Sequence, residues 1–300
     1  MSISFIVPCY NSSDCVEKTI RSIASIQKLI DCDSEIIAVN DGSTDDTLEI
    51  LLRLNNDYSS LRVFDQSNSG VSTARNKGIS VAEFDKIVFL DSDDTIDEHV
   101  FSKHISSILD NDFCCWGAKK VWVDTGKIVE YPMLGMDDSQ SLIEAICRRH
   151  VNLFIGGFSV ATEIARTMLF DERYKYGEDI KFILECILKS NKLVVLDDTI
   201  MLNYYQHSNS AMANFNQTRF DSLDCLKSLE DKLPKKLLDV LLDKDRKSVI
   251  HGFIKSRRAG WSHKDNVLFL ERLIGKNYSN KFFFKYYIYL ILVAIKHRFF

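Results

Sequence analysis

The sequence predicts an α/β protein with a Rossmann-like, mostly parallel sheet that carries helices on both faces, followed by a C-terminal helical extension. Short apolar runs alternate with amphipathic helical patterns through the first hundred residues, and this alternation is typical of parallel sheets. The chain has 300 residues, of which 46% are hydrophobic and 27% charged. This ordinary globular composition suffices for one sizeable core and a smaller extension.

Strands and helices are predicted in alternation along the first hundred residues. Apolar side chains recur at helical spacing from Val16 to Ile26, and Ser43 or Thr44 is placed to cap a second helix. Farther along, a helix is predicted over 180–188 and a strand over 199–205. The four predicted N-terminal strands are residues 4–7, 35–39, 61–64 and 87–90, and the second and third helices are residues 44–54 and 71–82.

Three carboxylates follow the fourth predicted strand within four residues, at Asp91, Asp93 and Asp94. Like charges repel, and their desolvation is costly, so a buried strand gains no stability from acids at its end. The sequence therefore predicts that a metal cation meets these acids or that one of them reacts.

Polar segments also follow the first two predicted strands. Residues 8–11 follow the first strand, residues 40–43 follow the second, and residues 91–94 follow the fourth. Ligands of parallel α/β sheets bind outside the carboxyl ends of the strands. We therefore expect these three strand ends to converge on one site, although the Asp41-Gly42-Ser43 segment alone is also an ordinary turn.

Four segments together resemble glycosyltransferase family 2, whose members are inverting enzymes with the A-type glycosyltransferase fold. The resemblance covers residues 3–100 with high specificity and continues more weakly to about residue 210. The segments are Ser-Phe-Ile-Val-Pro-Cys-Tyr-Asn at 4–11, Val-Asn-Asp-Gly-Ser-Thr-Asp at 39–45, Asn-Ser-Gly-Val-Ser-Thr-Ala-Arg-Asn at 68–76 and Phe-Leu-Asp-Ser-Asp-Asp at 89–94.

The resemblance implies roles for individual side chains toward a UDP-sugar. Asp41 would accept a hydrogen bond from the uracil N–H, Arg75 would lie beside the base and phosphates, and Asp91 would bind the ribose hydroxyls. Asp93 would ligate Mn²⁺ or Mg²⁺, with His207 as a third metal ligand or a diphosphate contact. Such hard cations suit carboxylate and phosphate oxygens. The remaining expected donor-binding residues are Pro8, Tyr10, Asn11 and Ser92.

One position departs from the family pattern. Members often carry Asp-Asp-Gly-Ser where this chain has Asn40 followed by Asp41. An asparagine can still form hydrogen bonds, but the resemblance assigns no nucleotide contact to Asn40.

Glu178 and Asp179 are the candidates for acceptor chemistry. From the residues alone, they are acids that open a predicted helix, where negative charge complements the helix dipole. The resemblance makes Asp179 the general base that deprotonates the acceptor hydroxyl and places Glu178 nearby for acceptor binding. His207, by itself, is a histidine that follows a predicted strand.

Two other enzyme classes fit parts of the pattern. Asp91-Ser92-Asp93-Asp94-Thr95 also matches the Asp-x-Asp-x-Thr signature of haloacid-dehalogenase-like phosphatases, with Asp91 as nucleophile and Asp93 as general acid. That alternative leaves the preceding 90 residues unexplained. A nucleotidyltransferase would favour a glycine-rich loop after the first strand, and residues 8–11 contain no glycine.

The expected organisation is a catalytic domain over 1–215 and a basic helical extension over 216–300. Within the catalytic domain, 1–112 would bind the nucleotide-sugar and 113–215 the acceptor. Residues 227–300 carry 17 basic and 7 acidic side chains, a net charge of +10, whereas residues 1–226 carry −14. This asymmetry suggests two regions with different partners.

The apolar segment 282–295 is too short for a spanning helix and is flanked by cations. Either it holds the protein at the inner face of the cell membrane, or it is a final helix packed on the catalytic domain.

The eight cysteines lack metal spacing and are interpreted as reduced cytosolic thiols. The resemblance implies a non-processive enzyme of O-antigen, capsule or exopolysaccharide synthesis, with a saccharide or lipid-diphosphate-linked acceptor. We expect the protein to be cytoplasmic and to have no nucleic-acid partner.

Overall fold

The computed structural model describes residues 1–133, 135–136, 138–206 and 217–255, and also positions 269, 273, 286, 288 and 289. Within these residues, one sheet is flanked by helices on both faces. The strands are β1 Ile3–Cys9, β2 Ser34–Asp41, β3 Leu61–Gln66, β4 Lys86–Phe89, β5 Thr95–Ile96, β6 Phe113–Trp122, β7 Ile128–Tyr131, β8 Phe158–Ala161 and β9 Leu193–Gln206. The helices are α1 Val16–Gln27, α2 Thr47–Asp57, α3 Val71–Val81, α4 Glu98–Lys103, α5 Ile105–Asp110, α6 Ser139–Cys147, α7 Thr162–Met168, α8 Glu178–Lys189, α9 Asp221–Lys227 and α10 Lys235–Lys255.

The sheet has the strand order β3-β2-β1-β4-β8-β6-β9-β5, with β7 paired to β6. β1 lies between β2 and β4, and all four N-terminal strands run parallel. β8 is antiparallel to both β4 and β6, whereas β6 and β9 run parallel to each other. Because β1, β2 and β4 point the same way, the segments that follow them emerge at one edge of the sheet. The predicted fold class is confirmed.

The sheet separates two hydrophobic cores, one on each face. On β1, Phe5 and Val7 point into the core that α1, α2, α4 and α5 complete, while Ile6 points into the opposite core. This alternation follows from the period of two along a strand. All seven residues of β1 are buried, which explains why the strand appears in the sequence as a continuous apolar run.

Helix α3 packs closely on β1, and this contact positions the arginine that α3 carries. A Cβ atom at Gly78 would overlap the Cγ2 methyl of Ile6. Glycine at this position therefore permits the close approach of α3 to the sheet. Arg75 lies one turn earlier on the same helix, toward the carboxyl edge of the sheet.

The second helix begins later than the sequence predicts. α2 starts at Thr47, so neither Ser43 nor Thr44 caps it, and that prediction is wrong. The Ser43 hydroxyl donates to Asn40 Oδ1 at 2.6 Å, and the Thr44 amide donates to Asn11 Oδ1 at 2.8 Å. These contacts hold the segments that follow β1 and β2, and neither side chain caps the start of α2.

The described part of the C-terminal extension shares a core with the catalytic region. Leu223 and Leu226 of α9 and Leu241 of α10 belong to the same buried cluster as Phe182 of α8. Full burial of a large apolar side chain contributes about 1.5–3 kcal/mol. The extension therefore contributes directly to the core on this face of the sheet.

Two tyrosines of the apolar tail segment contact α10. Tyr286 is fully buried, and its hydroxyl donates to Asp243 Oδ1 at 2.6 Å. Tyr289 Oη lies 2.8 Å from His251 Nε2, and Ile288 between them is 40% exposed. Across the described residues, no helix combines the length and apolar character that crossing a membrane requires. None of the eight cysteines is paired in a disulfide, and six of them are buried.

Candidate active site

Two adjoining cavities lie at the carboxyl edge of the sheet. The first, here named the Asp41 cavity, has a volume of about 440 Å³ and lies between the end of β1 and the segment that leads into α3. The second, named the Asp179 cavity, has a volume of about 540 Å³ and holds Asp91, Asp93 and Glu178 together with Asp179. The predicted convergence of three strand ends is confirmed.

The end of β1 contributes to both cavities. Pro8 and Tyr10 line each of them. Asn11 lines neither, because its side chain accepts from the Thr44 amide and its own amide donates to Ser43 Oγ at 3.0 Å. The backbone of Asn11 is left-handed, with φ +47°, a conformation that asparagine tolerates better than most residues. Asn11 therefore connects the ends of β1 and β2.

Asp41 is buried and holds the segment that enters α3. Its Oδ1 accepts from the Ser69 amide at 2.9 Å and from Gln66 Nε2 at 2.8 Å, and its Oδ2 accepts from the Gly70 amide at 2.8 Å. An ionised carboxylate offers about four acceptor positions. Asp41 can therefore shape the wall of its cavity and still accept one bond from a bound molecule.

Asn40 joins the ends of β2 and β3. Its Nδ2 donates to Asp65 Oδ1 at 2.6 Å, and its Oδ1 accepts from the Ser43 hydroxyl. An aspartate at this position would bring two carboxylates into contact, which is unfavourable unless one is protonated. Asparagine suits position 40 because it can donate to Asp65, and it lines neither cavity.

Arg75 is buried among acids. Its Nη2 lies 2.8 Å from Asp91 Oδ1, its Nη1 lies 4.0 Å from Glu178 Oε1, and its guanidinium carbon is 5.2 Å from the ring centroid of Phe170. Arg75 lines the Asp179 cavity and not the Asp41 cavity. Its charge thus compensates the carboxylates that lie where β4 ends.

The turn after β4 is held from α1 and β9. The Thr19 hydroxyl lies 2.8 Å from the carbonyl oxygens of both Ser92 and Asp94. Asp94 is buried, and its Oδ1 accepts from the Tyr205 amide at 2.9 Å. Burial, followed by the charges of Asp91 and Asp93, raises the pKa of the Asp94 carboxyl well above its usual value. Asp91, Ser92 and Asp93 line the cavity, while Asp94 anchors the turn.

Glu178 and Asp179 open α8 and differ in environment. Gly177 precedes them with φ +86°, a left-handed conformation that glycine adopts without strain. Glu178 is buried, and its Oε2 finds no hydrogen-bond donor among the described residues. Burial, and then the charge of Asp179, raises the pKa of Glu178 to about 7. Asp179 is half-buried, and its Oδ1 accepts from the Ile180 amide at 2.7 Å.

Asn76 holds the loop that precedes α8. Its Nδ2 donates to the Phe170 carbonyl oxygen at 2.9 Å and to Glu172 Oε1 at 2.8 Å, and its Oδ1 accepts from the Phe170 amide at 2.8 Å. This clamp connects α3 to a loop 94 residues away. Position 76 directly follows Arg75 in one of the matching segments, but nothing local in the sequence indicates this partner.

The C-terminal extension completes the wall of the Asp179 cavity. Asp245 of α10 is buried, accepts from Ser222 Oγ at 2.6 Å, and lies 3.4 Å from Arg149 Nη2. Arg149 itself has a left-handed backbone, with φ +54°. Residues far beyond the recognised sequence segments therefore help to shape the site, and the sequence carries no signal for them.

The described residues contain no group of three or more histidine, cysteine, aspartate or glutamate side chains able to hold a metal ion. Asp93 lines the Asp179 cavity, and His207 lies outside the described residues. Mg²⁺ commonly uses one or two carboxylates together with substrate phosphates and waters. The chemistry of Asp93 in an open cavity fits such a shared site.

An α/β sheet whose carboxyl edge presents acids in two joined cavities has the architecture of a ligand-binding enzyme. Residues 4–165 match the family model Glycosyl transferase family 2. The chain belongs to glycosyltransferase family 2, and the predicted family is confirmed.

Relatives and solved structures support this assignment. The chain is 34% identical over 96 residues to poly-β-1,6-N-acetyl-D-glucosamine synthase of Staphylococcus aureus (strain MSSA476), covering 32% of this chain and 23% of that protein. It is 30% identical over 218 residues to the uncharacterized glycosyltransferase EpsJ of Bacillus subtilis (strain 168), covering 69% and 62%. The chain thus spans less than two thirds of either relative.

The structure of S. aureus TarS 1–349 in complex with UDP-GlcNAc superposes with a TM-score of 0.62 at 20% identity, covering 91% of this chain and 79% of TarS. This likeness confirms the A-type glycosyltransferase fold. The phosphatase alternative is not supported, since the match to the glycosyltransferase family covers residues 4–165 and so includes Asp91 and Asp93.

Proposed function

We propose that this glycosyltransferase moves one sugar, with inversion, from a UDP-sugar to a saccharide or lipid-diphosphate-linked acceptor. The observation that carries the proposal is the pair of joined cavities, with a nucleotide-sized pocket at Asp41 and a cluster of carboxylates that ends at Asp179. The TarS complex with UDP-GlcNAc supports the choice of a uridine nucleotide for this fold.

The proposed donor extends from one cavity into the other. The uracil would occupy the Asp41 cavity, where Asp41 retains acceptor capacity beside the Ser69 and Gly70 amides. The ribose and diphosphate would lie toward Asp91 and Asp93 in the Asp179 cavity. Because Arg75 already compensates Asp91, that carboxylate can accept hydrogen bonds from ribose hydroxyls without an unpaired buried charge.

The proposed reaction needs one general base. Asp179 takes the proton of the acceptor hydroxyl while that oxygen forms a bond to C1 of the donor sugar. The bond between C1 and the diphosphate oxygen breaks with its electron pair, and UDP leaves from the opposite face. Asp179 is half-buried at the cavity wall, where an acceptor can reach it, while Glu178 is buried beside Arg75. Glu178 is the alternative base.

Asp93 is the proposed ligand for Mn²⁺ or Mg²⁺, with His207 as a further ligand or a diphosphate contact. When bound, the cation would stabilise the negative charge that develops on the departing diphosphate. Among the described residues, Asp93 supplies a carboxylate at the cavity wall close to Asp91. The diphosphate oxygens would supply further ligands, so an all-protein cage is not needed.

The proposed setting is bacterial surface-polysaccharide assembly, such as O-antigen, capsule or exopolysaccharide synthesis, on the cytoplasmic side of the membrane. The synthase of S. aureus to which the chain is similar is named for a polysaccharide, which supports this setting. The +10 charge of residues 227–300 suits peripheral contact with anionic lipid. The packing of Tyr286 against α10 fits the alternative, a tail helix docked on the protein.

The test combines nucleotide selectivity with metal dependence. We expect UDP with Mn²⁺ to raise the melting temperature more than GDP or TDP does, and one member of a UDP-sugar panel to be slowly hydrolysed. Asp93→Ala should abolish turnover and leave the melting temperature of the free protein nearly unchanged, because Asp93 lies at a cavity wall. Better protection by GDP would contradict the UDP assignment, and full turnover in excess chelator would contradict the metal role.

A further inference from the structure

The two cavities share one wall, and a molecule that spans both must pass it. Five described residues line both cavities, and one of these five, Lys175, is charged. The other four present aromatic or aliphatic surface, and they are Pro8, Tyr10, Val71 and Tyr176. Any anionic group at the junction therefore meets Lys175 as the cation of that wall.

The charge balance of the Asp179 cavity leaves a need for such a cation. Five carboxylates line it, and three arginines already have partners. The buried Arg75 is paired with Asp91, Arg149 is paired with Asp245, and the guanidinium of Arg219 lies over the ring of Tyr176. Lys175 is exposed, and no described side chain forms an ion pair with it. An ammonium without an anionic partner beside a cluster of acids is available to a ligand that brings negative charge.

The loop that carries Lys175 is fixed at both ends, so the lysine is held at the junction. At the start of the loop, Asn76 clamps Phe170, and Asp171 Oδ2 lies 2.6 Å from Lys181 Nζ. At the other end, the Tyr176 ring lies 4.6 Å from the guanidinium carbon of Arg219. A loop anchored in this way presents its middle residues to the cavities with little loss of conformational freedom on binding.

We infer that Lys175 binds the diphosphate of a nucleotide donor that extends from the Asp41 cavity into the Asp179 cavity. This inference rests on the proposed function, because it assumes a nucleoside diphosphate in both cavities. The ammonium would form charge-assisted hydrogen bonds to phosphate oxygens. Lys175 is thus a specificity residue that distinguishes a nucleoside diphosphate from the uncharged nucleoside.

Calorimetric titration of UDP and of uridine separates the phosphate contact from the base contact. We expect Lys175→Ala to weaken UDP binding about tenfold or more and to leave uridine binding unchanged. Lys175→Arg, which keeps the positive charge, should retain most of the UDP affinity. Lys189→Ala is the matched control, since Lys189 is an exposed lysine at the far end of α8 that lines neither cavity.

Each outcome decides a different point. Equal UDP affinity in Lys175→Ala and the wild type would overturn the inference. An equal loss of UDP and uridine affinity would also overturn it, because it would show that Lys175 supports the loop and does not contact the phosphates. If the wild-type protein bound uridine and UDP equally, or bound neither, the proposed function itself would fail.

Discussion

At the scale of single residues, the carboxylates of the site differ because their partners differ. Asp41 accepts from two backbone amides and a glutamine, and Asp91 is paired with a buried arginine. Asp94 and Glu178 are buried, and their pKa values are raised for that reason. Asp179 remains half-buried at the cavity wall. One residue type therefore serves as a structural acceptor, a paired charge and a candidate base.

Asp179→Asn should bind UDP as the wild type does and lose sugar transfer. The amide keeps the shape of the side chain, but it cannot take a proton near neutral pH. The measurement pairs UDP titration with a transfer or hydrolysis assay. Glu178→Gln is the matched comparison, because it neutralises the adjacent carboxylate. Full transfer by Asp179→Asn, together with loss of transfer in Glu178→Gln, would assign the base to Glu178.

Glu178→Gln should stabilise the free protein at pH 8 and not at pH 4. The pKa of Glu178 is raised from 4.5 to about 7, chiefly by burial. The folded state therefore binds this proton more tightly than the unfolded state, and wild-type stability falls as pH rises from about 4.5 to about 7. The amide removes that ionisation cost, a gain of up to about 3 kcal/mol above pH 7. Urea unfolding at both pH values measures it, and an equal effect at both would contradict the titration.

At the scale of elements, the loops at the carboxyl edge are held by side chains from neighbouring elements. Thr19 of α1 fixes the turn after β4, Asn76 of α3 fixes the loop before α8, and Asp41 of β2 fixes the segment before α3. Each contact satisfies polar groups that burial would otherwise leave without partners. The loops that shape the two cavities are therefore positioned by the packed helices and strands.

Asp41→Ala should reduce both stability and UDP affinity. Removal of a buried acceptor that serves two backbone amides costs about 1–3 kcal/mol of unfolding free energy, and loss of the uracil contact weakens UDP binding by roughly ten- to hundredfold. Gln66→Ala is the control, because it removes one donor to Asp41 and leaves the carboxylate in place. Denaturant unfolding and UDP titration check both effects. Wild-type UDP affinity in Asp41→Ala would refute the uracil contact.

At the scale of the whole molecule, the C-terminal extension and the catalytic region depend on each other. α9 and α10 bury leucines in the core that α8 also lines, and Asp245 of α10 lies at the wall of the Asp179 cavity. The net charge nevertheless differs in sign between residues 1–226 and residues 227–300. The described part of the extension therefore supports the site from within, and the basic charge of 227–300 is the basis of the proposed lipid contact.

Replacing four tail cations with glutamine should weaken binding to anionic vesicles if the tail contacts membrane. The positions are Lys281, Lys285, Lys296 and Arg298. Each basic residue near an anionic surface contributes about 1 kcal/mol, so partitioning at low salt should fall at least about tenfold. Sedimentation with vesicles measures this, and substitution avoids deleting the buried Tyr286. Wild-type protein that stays wholly in the supernatant would favour the docked helix.

The sequence by itself determined the fold class, the strand ends and the family. The apolar runs that became β1 and β4 are buried along their whole length, and the acids that follow β4 lie at the predicted edge. These features are local, because a short stretch of sequence is enough to show the periodicity of a strand and the residues that end it. The predicted start of α2 was wrong, since Ser43 and Thr44 both contact Asn11, a residue more than 30 positions away that a capping rule does not include.

Only the tertiary structure decided which side chains support the site and how they are charged. Asn40 meets Asp65, Asn76 meets a loop 94 residues away, and Thr19 meets a turn more than 70 residues away. The raised pKa of Glu178 likewise follows from burial, and the position of Lys175 from two cavities that share a wall. Contacts between distant segments depend on how the helices pack on the sheet, and desolvation depends on the complete surroundings of a group.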